Sequence, residues 1–242
     1  MATGRLYLLP SWLSEDCPPE AVLPAAVLER IRALDGFVVE DARSARRFLA
    51  ACRHPKPIRE LSMAELNEHT DRAAIPALLA PLTEGRDLGL ISEAGAPAVA
   101  DPGALLVAAA HAQGIAVVPL AGPSSILLAL MASGLEGQRF RFHGYLPVEP
   151  PARRERLVQL ERDSARHAET QVFIETPYRN DALLADILQA CRGTTRLAVA
   201  VELTSPREWI RMDRVDGWKS RPSPTIGKRP AIFLLYAAAK TV

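Results

Sequence analysis

Cysteine is scarce and scattered: Cys17, Cys52 and Cys191 form no CxxC pair. An odd set with that spacing excludes a disulfide-stapled secreted scaffold and suits a reducing compartment. Long apolar runs are missing too, and nothing approaches the roughly 20 residues that a bilayer-spanning helix needs. The opening MATGRLYLLPSW lacks the basic start, the long apolar centre and the cleavage site of a signal peptide. A cytoplasmic chain with no membrane partner is the expectation. Neither sign of charge dominates. The 29 Lys and Arg against 28 Asp and Glu leave a net charge of +1, so no broad basic footprint demands nucleic acid.

Familiar chemical signatures are absent as well. No GxGxxG follows a strand and no GxxxxGK[ST] occurs, which removes the usual dinucleotide and P-loop readings. Ser124 and Ser125 lie in GPSSI, which is not the GxSxG of a nucleophile elbow. His54, His69, His111, His143 and His167 never stand three or four residues apart, so no metal site is expected.

What is present is a folded α/β chain, 48% hydrophobic and long enough for one large or two modest domains. Its centre is the stretch 89–131. An apolar strand, Leu88 to Ile91, runs into a small-residue loop punctuated by Gly95, Pro97, Pro102 and Gly103. A helix over 104–113 stops at Gly114. A strand over 115–118 enters a second such turn, Leu120 to Ser125, which opens another helix. This alternation is the grammar of a parallel sheet, whose ligands bind at the carboxyl ends of strands. The second Gly/Pro loop reads as the hinge, so the expected domains are 1–119 and 120–242.

Upstream, the pattern predicts strands over 5–9 and 37–39, helices over 21–34 and 44–52, a short strand over 58–61, and a helix beyond the Thr70–Asp71 cap. Downstream it predicts strands over 139–143, 171–174, 196–201 and 231–236, with helices over 153–162 and 181–190. Carboxylates gather at the strand ends: Glu40, Asp41, Glu93, Asp101, Glu175 and Glu202. Asp101 and Glu202, taken alone, read as ordinary acidic caps of βα turns. The ensemble, set among small residues that let a ligand approach the backbone, reads as a binding site.

ISEAGAPAVADPG at 91–103 followed by PLAGPSS at 119–125 resembles the tetrapyrrole (corrin/porphyrin) methylase superfamily of class III S-adenosylmethionine-dependent methyltransferases. The nearest branch is that of the bacterial small-subunit ribosomal RNA ribose 2′-O-methyltransferases. GRLYLLP at 4–10, VEDARSARRFL at 39–49, IETPYR at 174–179, VELT at 201–204 and KRPAIFLL at 228–235 also agree, in order. The chain departs from the branch in three places. Ser11-Trp12-Leu13-Ser14 replaces a glycine turn, Glu93 stands for the common Asp, and Ala42 for a Thr. It also ends soon after the last strand, without the branch's extra C-terminal segment.

The resemblance implies two α/β domains, a mainly parallel N-terminal sheet and a mixed C-terminal one, with the cofactor in the cleft between them and a homodimer as the assembly. It implies cofactor contacts at Leu9, Pro10, Glu93, Ala94, Gly95, Ala96, Pro97, Val99, Ser124, Ser125, Thr176, Ala200, Pro230 and Ala231. S-adenosyl-L-methionine brings an activated methyl group, and the protein has mainly to align the acceptor. Glu40, Asp41, Glu93 or Glu175 can serve as a base for a hydroxyl. Arg43 and Arg179 either orient the acceptor or pair with those acids. The favoured acceptor is ribosomal RNA in the small subunit, with Arg43, Arg46, Arg47 and Arg153, Arg154, Arg156 as phosphate contacts. A small or macrocyclic, tetrapyrrole-like acceptor and a non-catalytic cofactor sensor stay open.

Overall fold

The computed structural model describes residues 3–222 and 224–238. The chain divides into two compact units, Met1–Ser124 and Ser125–Val242.

The first unit runs β1 (Leu6–Leu9), α1 (Pro19–Val22), α2 (Ala25–Ala33), β2 (Gly36–Val39), α3 (Ala42–Ala51), β3 (Ser62–Glu65), α4 (Ile75–Thr83), β4 (Leu88–Ile91), α5 (Gly103–Ala112) and β5 (Val117–Pro119). Its five strands are parallel, in the order β3-β2-β4-β1-β5. Residues alternate between two cores. Tyr7, Leu9, Phe37 and Val39 meet Val27, Ile31, Phe48 and Leu49 of α2 and α3. Leu6, Val38, Leu88 and Leu90 meet Leu79, Leu82 and Leu106 of α4 and α5. Helices thus cover both faces, as a parallel sheet requires.

The second unit holds α6 (Ser125–Ser133), β6 (Phe140–Tyr145), α7 (Pro150–His167), β7 (Thr170–Ile174), α8 (Asn180–Ala190), β8 (Arg196–Val201), β9 (Trp209–Arg214), α9 (Val215–Lys219) and β10 (Ala231–Tyr236). Its sheet is mixed, in the order β6-β7-β10-β8-β9, with β6 and β7 parallel and the other pairs antiparallel. The expected parallel and mixed pair of sheets is therefore what the chain forms. Phe173, Val199 and Phe233 pack on Leu157, Leu183 and Ile187 of α7 and α8, while α6 lies against β8, β9 and β10.

Four local expectations need correction. The helix expected over 21–34 is two helices, because Pro24 has no N–H to donate and starts α2 afresh. Residues Ile58–Glu60 form a 3₁₀ turn, and the strand begins only at Ser62. The helix expected over 153–162 begins at Pro150 and runs to His167, and Pro150 and Pro151 open it because the first helical positions need no N–H donor. β9, over Trp209–Arg214, falls where no strand was predicted.

Candidate functional site

In the first unit the carboxyl ends of β1, β4 and β5 bring three loops together, because β1 pairs with β4 on one side and β5 on the other. The Ser11 amide donates to the Gly95 carbonyl (2.9 Å), and the Ser11 hydroxyl donates to the Ser92 carbonyl (3.3 Å). Gly122 follows β5, and a Cβ there would lie 2.3 Å from Pro10 Cγ. Gly95 has φ +76°, and a Cβ there would meet Leu13 Cδ2 at 3.0 Å and the Pro123 carbonyl at 3.4 Å. Both glycines are therefore demanded by geometry. Ala98 and Ala100 also sit at φ 64° and 63°, a left-handed backbone that costs a non-glycine residue roughly 1–2 kcal/mol. Of the residues named for the cofactor, Leu9, Pro10, Gly95 and Pro97 are buried. Ala96 and Ser124 are half-buried, and Glu93, Ala94 and Val99 are exposed.

The acids at this edge have separate duties. Glu40 Oε2 accepts from the Glu93 amide at 2.9 Å, so the carboxylate after β2 fastens the loop after β4. Asp41 caps α3, accepting from the Ser44 amide at 2.7 Å, and that bond holds its carboxyl below the usual range. Glu93 is pushed upward, first by burial and then by the charges of Glu40 and Asp41. Burial pushes Asp101 up to about 6, although the Gly103 amide donates to its Oδ1 at 2.7 Å. Its Oδ2 is buried without a hydrogen-bond partner among the described residues. Arg43 is exposed on the first turn of α3.

In the second unit β10 runs antiparallel between β7 and β8, so its start lies beside their carboxyl ends. That pairing gathers Glu175 and Thr176 after β7, Ala200 and Glu202 at the end of β8, and Pro230 with Ala231. The Glu202 amide donates to the Pro230 carbonyl at 2.9 Å. Glu175 is wholly enclosed. Its Oε1 accepts from the Thr176 amide (2.6 Å), the Thr176 hydroxyl (3.1 Å), and Arg179 Nε (2.9 Å) and Nη2 (2.6 Å). Arg179 thus pairs with an acid of its own loop. Sequence reasoning missed Asn180, which is fully buried and donates from Nδ2 to the Arg229 carbonyl at 2.7 Å, holding the approach to Pro230. Its place directly after Arg179 in the ETPYRN run was the available signal. Glu202 and Thr204 carry left-handed backbones, φ 50° and 69°. Ser125 is half-buried at the start of α6.

One expected contact group fails. Arg153 is 3% exposed, and its Nε donates to Asp186 Oδ2 at 2.8 Å. Arg154 Nη1 reaches Asp186 Oδ1 at 2.9 Å. The pair ties α7 to α8 and leaves Arg153 no surface for a phosphate. Arg47 pairs with Glu15 at 2.8 Å, and Arg156 donates to Gln159 at 2.9 Å. Arg43 and Arg46 remain exposed without an ion pair among the described residues. No helix of the described residues is long and apolar enough to cross a membrane, and no cluster of His, Cys, Asp and Glu among them suits a metal ion.

The family described as Tetrapyrrole (Corrin/Porphyrin) Methylases matches residues 20–216. A "Ribosomal RNA small subunit methyltransferase I" of Xylella fastidiosa is 39% identical over 181 residues, 74% of this chain. The match spans 63% of that relative's length. The crystal structure of the methyltransferase CobJ aligns with TM-score 0.63 at 17% identity, covering 97% of this chain and 100% of that one. Uroporphyrin-III C-methyltransferase from Thermus thermophilus, complexed with S-adenosylhomocysteine, aligns with TM-score 0.55 at 17% identity, covering 96% and 97%.

Proposed function

The chain belongs to the tetrapyrrole (corrin/porphyrin) methylases, and from that premise we propose an S-adenosylmethionine-dependent methyltransferase acting on a ribose 2′-hydroxyl of small-subunit ribosomal RNA. One observation carries the acceptor: the 39% identity over 181 residues to a relative named for small-subunit ribosomal RNA. The cofactor is supported by the family and by the Thermus thermophilus neighbour's complex.

The residues fit such a ligand. Ala94 is exposed and Ala96 half-buried, small residues that let a ligand come close to the loop after β4, and Ser124 and Ser125 carry hydroxyls of the kind that bind a carboxylate or ribose. Thr176, Ala200, Pro230 and Ala231 line the end of the second sheet, where buried acceptors lack donors. When bound, the cofactor supplies an activated sulfonium methyl.

Glu93 takes the hydroxyl proton. Among Glu40, Asp41, Glu93 and Glu175 it is the one whose carboxylate holds no described hydrogen bond, and its upward shift moves it toward the pH at which a base works best. Glu40 keeps the Glu93 backbone in place. Arg43 and Arg46 meet phosphates, and two copies of the chain form the working enzyme.

The test is transfer of label from methyl-labelled cofactor to small ribosomal subunits of a strain deleted for the gene, with the position mapped by mass spectrometry. Ribose methylation in the RNA is expected. Label confined to a small-molecule fraction overturns the acceptor. Arg43→Glu with Arg46→Glu should leave cofactor affinity unchanged and flatten the salt dependence of RNA binding by about 2 in log–log slope, one per lost phosphate contact.

A further inference from the structure

The four tyrosines divide sharply by exposure. Tyr7 is buried and Tyr236 is half-buried with Arg196 over its ring, whereas Tyr145 and Tyr178 are 61% and 69% exposed. Both exposed rings stand at one end of the second sheet. Tyr145 closes β6 in register with Ile174 of β7, and Tyr178 follows β7 in a 3₁₀ turn, Pro177–Arg179. Exposure alone means little. What distinguishes Tyr178 is how its ring is held. Arg179 Cζ lies over the ring at 5.4 Å from the centroid, within cation–π range. Arg179 is itself tethered, because Nε and Nη2 both donate to Oε1 of the enclosed Glu175, at 2.9 and 2.6 Å. A fixed guanidinium thus backs one face of the ring and leaves the other to solvent.

The fold also fixes a cation near by. The Asn180 side-chain amide donates to the Arg229 carbonyl at 2.7 Å. Both oxygens of Asp181 accept backbone amides, from Ile226 at 2.7 Å and from Gly227 at 3.0 Å. These bonds clamp the turn that carries the exposed Lys228 onto the two residues that follow Tyr178 and Arg179. They also occupy the carboxylate of that stretch. We infer that Tyr178 is a stacking platform for one unpaired RNA base, with Lys228 on an adjoining phosphate and Tyr145 as a second ring at the same end. A tyrosine ring matches a single nucleobase in area, and rings set beside a cation are how single strands are held without sequence readout. The inference rests on the proposed ribosomal RNA acceptor and names what the second unit takes from it: a base outside the double helix.

The test titrates the full chain into a fluorescein-labelled oligoadenylate of about ten nucleotides, within the span of single-strand sites, both alone and paired with oligouridylate. Fluorescence anisotropy reads the affinity. Tyr178→Ala should weaken binding of the single strand by about 5- to 150-fold, the loss of one stacked base. It should leave the duplex unchanged, since duplex bases are already stacked on one another. Tyr178→Phe and Tyr178→Trp should stay close to the wild type, and Tyr178→Leu, with bulk but no π face, should fail as alanine does. Stacking releases no counterions, so Tyr178→Ala should keep the wild-type salt slope, whereas Lys228→Gln should lower it by about 1. Equal affinity of the wild type and Tyr178→Ala for the single strand overturns the inference, as does an equal loss on the duplex. If Tyr178→Ala disturbs the fold, Tyr178→Leu against Tyr178→Phe decides, and equal binding by those two overturns it. Transfer of no label to small ribosomal subunits by the wild-type chain, measured separately, overturns the acceptor reading, and the inference falls with it.

Discussion

Asp101 looks in the sequence like an acidic cap before a helix, and its amide contact with Gly103 agrees with that. Its second oxygen, enclosed without a hydrogen-bond donor among the described residues, is a property of the folded loop alone. Burial, helped by the charge of Glu40, raises its carboxyl from 3.8 to about 6. Between those values the folded state holds a proton that the unfolded chain releases. The fold therefore bears no penalty below about 3.8, a growing one as pH rises, and the whole of it above about 6. Asp101→Asn should stabilise the protein by about 1–2 kcal/mol at pH 7.5, with partial exposure allowed for, and by nothing near pH 4. Urea unfolding at the two pH values measures it. An equal effect at both would mean the carboxyl is not perturbed by the fold.

Helix α7 shows how periodicity outranks composition. The run Arg153-Arg154-Glu155-Arg156 suggests a solvated basic face, yet Arg153 shares the stripe of Leu157, Leu160 and Ser164, at helical spacings, and is buried with them. Asp186 on α8 makes that burial possible, and the Val148 carbonyl takes a further bond from Arg153 Nη1 at 2.9 Å. Removing one partner of a buried pair strands the other charge. Arg153→Ala should lower stability by about 3 kcal/mol or more, whereas Arg156→Ala, which strands no buried charge because Arg156 meets only the side chains of Gln159 and His143, should cost about 1 kcal/mol or less. Denaturant midpoints with unchanged slopes would check both. The loops at the sheet edge obey another rule: Gly95 and Gly122 were visible as small-residue turns, but the need for each comes from Leu13, Pro123 and Pro10, which are distant in sequence.

The proposed two-fold assembly has a face to use. Leu127 and Met131 of α6 and Met212 of β9 are 51%, 78% and 43% exposed, large apolar groups on one side of the second sheet. Such a patch marks a contact surface more often than bare solvent, and closed two-fold pairing is the commonest assembly. Light scattering at micromolar protein should give twice 26.3 kDa, and Met131→Asp should halve it. A wild-type mass of 26.3 kDa counts decisively against the dimer.

Most of the strands and helices, the α/β class and the family were decided by local sequence, since apolar periodicity and Gly/Pro punctuation act over a few residues. Those same marks placed the candidate loops at strand ends. Tertiary structure decided what each polar group does there. That Asp41 is spent on a cap, Glu40 on the Glu93 amide, Arg179 on Glu175 and Arg153 on Asp186 depends on which neighbour the fold delivers within hydrogen-bond range. A charge advertises its type in the sequence, but its partner is chosen only when burial takes water away and leaves the nearest group to answer it.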